Sequence, residues 1–328
     1  MSLLPQKRSW FSRLNPFARR AEQTTSRRPA ASRPSFRPSL EALEDRRLLS
    51  TTPVGNTTEF PDSAVVRIFI TFPDGSTAQG TGTMVNPNTV LTAGHVVYDA
   101  SDGGWATSIE VIPGQNGNSQ PYGIAYSVAA STFTSYIAAS QIAANQSGSD
   151  AHVPGDGDIG FISLNRDVGD QTGWLSLIPG ITGTSFDLSK YGYPSTDGYN
   201  GTQLVADYGS LIMNGVGSAP GFGYLGWSSS SMSSIPGESG SSLVLNLGGG
   251  RNGIIAVQDV GNSSEGYAET ITQSVVNSLW AFEQEHPTNA GSVVLTNSLQ
   301  PPQTSPSSPA VTLQDMFVAC PHFMYQAL

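Results

Sequence analysis

From residue 63 onward the chain breaks into strand-length runs of β-branched and aromatic residues, each halted by Gly, Pro, Asn or Asp. The clearest run is Ala64-Val65-Val66-Arg67-Ile68-Phe69-Ile70-Thr71-Phe72, followed by the turn Pro73-Asp74-Gly75-Ser76. Side chains that branch at Cβ fit a pleated surface, while Pro, Asp and Gly supply the restricted or left-handed dihedrals of a tight turn. Comparable runs at 77–85, 89–92, 108–112, 158–164, 202–206, 210–213, 242–247, 253–258 and 267–272 predict many short strands. Strands of that length and spacing point to an all-β barrel or sandwich. The exception is 273–285, where Val275, Val276, Leu279, Trp280 and Phe282 recur at helical spacing and predict one amphipathic helix.

Composition agrees. The chain holds 36 Gly and 22 Pro, and only 12 % of its 328 residues are charged, roughly half the usual share. Solvated faces of long helices are built from straight-chain charged residues, and Lys7 and Lys190 are the only lysines. No apolar run approaches the length of a membrane span. A single cysteine, Cys320, excludes an intramolecular disulfide and a cysteine-cluster metal site. No repeat of fixed period is visible.

Charge is divided sharply along the chain. Residues 1–50 carry 11 of the 15 Lys and Arg but 4 of the 25 Asp and Glu, a net of +7, and leave a net of -17 on the remainder. A body that acidic repels phosphate backbones, which argues against nucleic acid as a partner. The arginines of the first 50 residues are interleaved with Pro and Ser, as in a disordered leader. That leader lacks an ordinary signal-peptide apolar core. It ends in Leu40-Glu41-Ala42-Leu43-Glu44-Asp45-Arg46-Arg47-Leu48-Leu49, similar to the LEPR-XLL-type motif of exported bacterial surface proteins and equally readable as a short amphipathic helix in an arm. The expected organisation is a leader or pro-segment over 1–62, a folded domain over 63–285 and a Pro/Ser/Gln-rich tail over 286–328.

Three motifs carry chemistry. Leu91-Thr92-Ala93-Gly94-His95-Val96-Val97 sets a histidine at a strand end, and Gly157-Asp158-Ile159-Gly160 sets an aspartate at a strand start. Pro236-Gly237-Glu238-Ser239-Gly240-Ser241 brackets a serine with glycines. A serine hydroxyl is a weak nucleophile unless a base lies within hydrogen-bond reach and a third group orients that base. Glycines beside the serine let successive N–H groups converge where a tetrahedral oxyanion forms. Each motif alone has an ordinary structural explanation. Their order, His then Asp then Ser at spacings of 63 and 81 residues, is that of chymotrypsin-like enzymes and not of subtilisins or α/β-hydrolases. His152, His286 and His322 lack ligand spacing, and Asp150 and Asp156 head no apolar strand. Asp99, Asp102 and Gly104 read as a solvated turn in preference to a calcium loop. No metal or cofactor is expected.

At these residues the chain resembles the chymotrypsin-fold serine peptidases, in the bacterial branch related to V8 and glutamyl endopeptidases. Tyr191-Gly192-Tyr193-Pro194 and Glu265-Gly266-Tyr267-Ala268-Glu269-Thr270 extend the likeness. The resemblance implies two six-stranded β-barrels, over about 63–167 and 173–272, and a C-terminal helix at 273–285. It implies Ser239 as nucleophile, His95 as general base and Asp158 as its orienter, with an oxyanion hole from the Gly237 and Ser239 N–H groups. Ser233, Ser234, Gln258, Asp259 and Gly261 would line the substrate pocket. Gln258 stands where glutamyl-specific relatives carry a histidine, and Ser233 where trypsins place an aspartate. Asp259 departs from the small neutral residue expected beside the triad aspartate.

Glu238 is an activation candidate, since its carboxylate can pair with an α-amino group freed by cleavage between residues 50 and 63. The resulting expectation is a secreted or cell-surface monomeric serine endopeptidase acting on proteins or peptides. The alternative is a catalytically weak trypsin-like module that binds a surface; a plain adhesin with coincidental motifs is a third reading.

Overall fold

The computed structural model describes residues 51–147, 154–181, 186–216, 219–228, 232–248, 251–262, 265–287 and 294–295. All lie in the unit Arg47–Leu328. The leader motif, most of the tail, Cys320, His152, His322 and Asp150 fall outside the described residues.

Among the described residues twelve strands form two closed antiparallel rings. The first contains β1 (Val65–Thr71), β2 (Thr77–Met84), β3 (Thr89–Thr92), β4 (Ser108–Pro113), β5 (Ala125–Thr132) and β6 (Gly160–Leu164). Its pairing runs β1-β2-β3-β6-β5-β4 and back to β1. The second contains β7 (Phe186–Gly192), β8 (Val205–Val216), β9 (Gly223–Ser228), β10 (Ser242–Asn246), β11 (Asn252–Gly261) and β12 (Glu265–Thr270). Its circuit is β7-β8-β9-β12-β11-β10 and back to β7, the same connectivity as the first. Closing each sheet on itself removes the edge strands that invite aggregation.

Alternation fills the rings. In β1, Val66, Ile68 and Ile70 are buried while Arg67, Phe69 and Thr71 are half-exposed, as a period of two requires. Their core includes Leu91, Val111 and Phe161; a second cluster of Leu188, Leu225, Trp227, Leu243, Ile255 and Ala268 fills the other ring. Helix α2 (Gln273–Glu285) starts where Thr272 Oγ1 accepts the Val275 N–H at 3.3 Å. This N-cap satisfies a first-turn donor. Although the helix follows the second ring, Val275, Leu279 and Phe282 pack into the first, with the Phe282 and Phe161 rings 5.9 Å apart.

Several elements depart from expectation. The expected strands at 202–206 and 210–213 are not separate: Val205–Ala206 and 210–213 lie on one strand, β8, which 202–204 precede. Strands β5, β7 and β9 and helix α1 (Thr134–Ser147) carried no clear periodic signal. Strand β5 reads Ala-Tyr-Ser-Val-Ala-Ala-Ser-Thr, and α1 docks through the buried Tyr136, which donates to Tyr98 O, and through Ser140 Oγ, which accepts from Ala100 N–H.

The boundary expected at residue 62 also falls inside folded chain. Thr52–Pro53 pairs with β8, and the buried Thr57 donates to Gly114 O at 2.6 Å. Val294–Leu295, in the stretch expected as tail, pairs with β5. Backbone groups find partners there that composition does not announce.

Candidate active site

The histidine comes from the first ring. After β3, Ala93 leads into a 3-10 turn, Gly94–Val96, that carries His95. A Cβ on Gly94 would lie 2.5 Å from Thr132 Oγ1 and 2.8 Å from Asp158 Oδ1, so the residue beside the histidine must be glycine. Asp158 is fully buried and grips His95 at two points: Oδ1 accepts its backbone N–H at 2.8 Å and Oδ2 faces ring Nδ1 at 2.7 Å. A carboxylate at Nδ1 fixes the tautomer, keeping the proton there and leaving Nε2 as acceptor.

The serine comes from the second ring. Gly237 and Gly240 adopt φ of +93° and +84° on either side of Glu238-Ser239, a left-handed region that favours glycine. A Cβ on Gly240 would fall 2.2 Å from Thr81 O, 2.2 Å from Thr92 Oγ1 and 2.9 Å from Ala93 N. The residue after Ser239 therefore rests on the segment that enters the His95 turn. Thr81 of β2 completes the contact, donating its N–H to Ser239 O and its hydroxyl to Gly237 O, both at 2.8 Å. Glu238 N–H, Gly240 N–H and Ser241 N–H have backbone acceptors; the Gly237 and Ser239 N–H groups have none among the described residues.

Alternation along β11 separates two expected pocket residues. Gln258 turns toward the serine loop, donating from Nε2 to Ser234 Oγ at 3.3 Å, and Gly261 packs against that same hydroxyl. Asp259 turns the other way. One of its carboxylate oxygens, one of Asp158 and a His95 ring nitrogen lie within 4.8 Å of one another. Asp259 is thus a neighbour of the histidine–aspartate pair and not a pocket residue. Burial first, and then the facing charge of Asp158, push its carboxyl well above the usual carboxylate range. Glu269, also buried, is raised by burial and by the charges of Asp156 and Asp158, against hydrogen bonds from Gly155 and Gly157. A protonated acid is the form such a site favours.

Glu238 has a partner that motif reading missed. It is fully buried, and its Oε2 lies 2.9 Å from Nζ of Lys190, a β7 lysine at 0 % exposure. The sequence offered this carboxylate to a newly cut α-amino group; in the structure a cation of the folded domain pairs with it. The only hint in the sequence was a lone lysine within an otherwise lysine-free body.

Two six-stranded antiparallel rings of identical connectivity, flanked by a C-terminal helix, form the architecture of the chymotrypsin-fold serine peptidases. The family described as trypsin matches residues 54–278, and the chain belongs to it. A solved Glu endopeptidase in complex with MPD aligns with a TM-score of 0.55 at 22 % identity, over 71 % of this chain and 96 % of that one. Protease Anisep from Arthrobacter nicotinovorans aligns at 0.53 and 20 % identity, over 70 % of this chain and 97 % of its own. In sequence, a glutamyl endopeptidase of Bacillus licheniformis is 36 % identical over 155 residues, 46 % of this chain and 42 % of the relative. An extracellular metalloprotease of Bacillus subtilis (strain 168) is 46 % identical over 88 residues, 26 % of this chain and 28 % of that protein. The chain thus spans less than half the length of either curated relative.

Proposed function

We propose that this protein is an exported serine endopeptidase that cleaves peptide bonds through an acyl-enzyme on Ser239. The two-point grip of Asp158 on His95 carries the reading, because it presets the base for a hydroxyl nucleophile. His95 Nε2 takes the Ser239 proton as Oγ bonds to the substrate carbonyl carbon. The carbonyl oxygen becomes an oxyanion, which the Gly237 and Ser239 N–H groups stabilise. The C–N bond then breaks as His95 returns the proton to the leaving amine, and water repeats the sequence to release the acid and restore Ser239.

Metal-assisted hydrolysis does not fit the residues present. His95 Nδ1 and Asp158 Oδ2 are at hydrogen-bond distance, and no second histidine joins the described clusters of candidate ligands. Catalytic zinc sites use three histidines, two histidines and a glutamate, or two cysteines and a histidine, and neither described cluster supplies such a set.

For specificity we infer a neutral polar or medium apolar residue before the scissile bond. Ser233, Ser234 and Gln258 bring hydroxyl and amide groups, and Gly261 lets the Ser234 side chain pack against the strand. Lys190, the one lysine among the described residues, is paired with Glu238, so it offers a substrate carboxylate no net positive charge. The domain would act as a monomer outside the cell, in keeping with the LEPR-XLL-like leader and with one relative's extracellular description. No helix is long and apolar enough to cross a membrane among the described residues.

Labelling with a fluorophosphonate probe tests the reading. One probe per folded chain, lost in Ser239→Ala, is the expected result; a full-length and a trimmed protein that both stay unlabelled would leave a surface-binding module instead. A peptide library at pH 7–8 tests the pocket, where dominance of Glu, or of Lys and Arg, counts against it.

A further inference from the structure

We propose that Lys190 is a positioning residue that holds the oxyanion loop and the pocket wall in working geometry from inside the domain, so that activity requires no newly cut α-amino group. The proposal rests on the acyl-enzyme reading above.

Lys190 lies on β7 between Asp207 of β8 and Leu243 of β10, its register partners. Its ammonium reaches Ser233 O at 2.6 Å, Glu238 Oε2 at 2.9 Å and Gln258 Oε1 at 3.0 Å. An ammonium has three protons, and these three acceptors use them. Ser233 Oγ, at 3.2 Å from Nζ, can spend its own proton on Glu238 Oε2 at 3.1 Å. A buried charge is tolerated only when paired and fully hydrogen-bonded, and this one meets both conditions.

Each acceptor belongs to a part of the site that must not move. Glu238 immediately precedes the nucleophile, and its Oε2 also accepts the Ile235 N–H at 2.9 Å, folding the carboxylate back over the turn 235–238. That turn sets the direction of the Gly237 and Ser239 N–H groups. Ser233 is fixed from two sides, its carbonyl by Lys190 and its N–H by Asp207 Oδ2. Gln258 presents its carbonyl oxygen to the ammonium, which obliges its amide nitrogen to face Ser234. Two residues along β7, Gly192 leaves the room Glu238 needs, since a Cβ there would stand 2.6 Å from Ser241 Oγ and 3.1 Å from Glu238 Cγ. One strand therefore supplies both the charge and the slot.

The test uses the full-length chain with its N-terminus verified intact by mass, as wild type, as Lys190→Met, and as Lys190→Met combined with Glu238→Gln. The single variant strands a buried carboxylate and is at risk of misfolding; the pair removes both charges. Fluorophosphonate labelling carried to completion counts competent sites, and kcat is expressed per labelled site with KM alongside. The expected result is a paired variant that keeps its thermal transition and its labelling stoichiometry. Its kcat per site falls about 100-fold, as when an oxyanion donor is lost, with a smaller change in KM.

Unchanged kcat per site in the paired variant, with loss seen only as fewer sites, overturns the proposal. So does an intact wild type that gains turnover only after cleavage between residues 50 and 63, a measurement independent of whether the variants fold. A wild type that never labels, cut or uncut, would instead overturn the acyl-enzyme reading, so the two failures are distinct.

Discussion

Asp259 and Asp158 face each other as buried carboxyls, each 3 % exposed or less, behind the histidine that the second of them grips. Two carboxylates so close cannot both ionise cheaply, and the one without a cationic or N–H partner takes the proton. A protonated Asp259 can donate toward Asp158, whereas an ionised one can only repel it. We therefore expect Asp259→Asn, whose amide also donates, to keep turnover within about tenfold, the scale of one ordinary hydrogen bond. Its activity should also persist at alkaline pH where the wild type declines. Rate profiles of the two proteins from pH 6 to 10 decide this, and identical alkaline limbs would remove Asp259 from the account.

Glu269 links the same cluster to stability. Its folded-state pKa is raised above the unfolded value, so the stability it contributes is complete below about pH 4.3 and is lost as pH rises through the raised value. Glu269→Gln keeps the acceptor for Gly155 N–H without that cost, and its advantage over wild type should grow from pH 4 to pH 8. Glu283 on α2, raised by burial from 4.5 to about 7, has the same sign within that window. Urea midpoints at pH 4, 6 and 8 test both; an advantage that shrinks with pH contradicts the assignment.

Ser239 and His95 should behave as one unit. Either alanine replacement is expected to lower kcat by about 10⁴–10⁶, with the double replacement little worse, because neither group works without the other. Losses that multiply in the double variant would show two independent contributions.

Gly240→Ala tests the packing between the rings. The substitution meets a positive φ and, 2.2 Å from the new Cβ, the backbone oxygen of Thr81, which no side-chain rotation can move. Destabilisation of about 1–3 kcal/mol is expected, together with loss of labelling at Ser239, and thermal melts with probe titration measure both. A melt within error of the wild type would mean the loop relocates freely.

Legibility varied with the kind of force involved. Strands β1, β2 and β3 and helix α2 were readable because apolar periodicity decides them, and the all-β class followed. Strand β7 was not, since Phe-Asp-Leu-Ser-Lys-Tyr-Gly sets Asp187 and Lys190 in a barrel where propensity predicts neither. The two rings came only through the family resemblance, because matching topology leaves no repeat of fixed period in the sequence. The histidine, aspartate and serine motifs were visible as small-residue contexts, and the structure gives each glycine a contact that explains it. Lys190 offered only its rarity. A buried ion pair 48 residues apart is a tertiary fact, with no local pattern on either side.

Helix α2 follows the second ring in sequence but is seated in the first, its Phe282 stacked near Phe161. During synthesis both rings must leave the ribosome before this segment does. This helix therefore arrives after both rings, followed by the Val294–Leu295 pairing on β5, and a nascent chain ending short of residue 273 holds His95 and Ser239 on halves that the helix does not yet fasten. On the proposed acyl-enzyme reading, peptide cleavage would wait for this segment to be made.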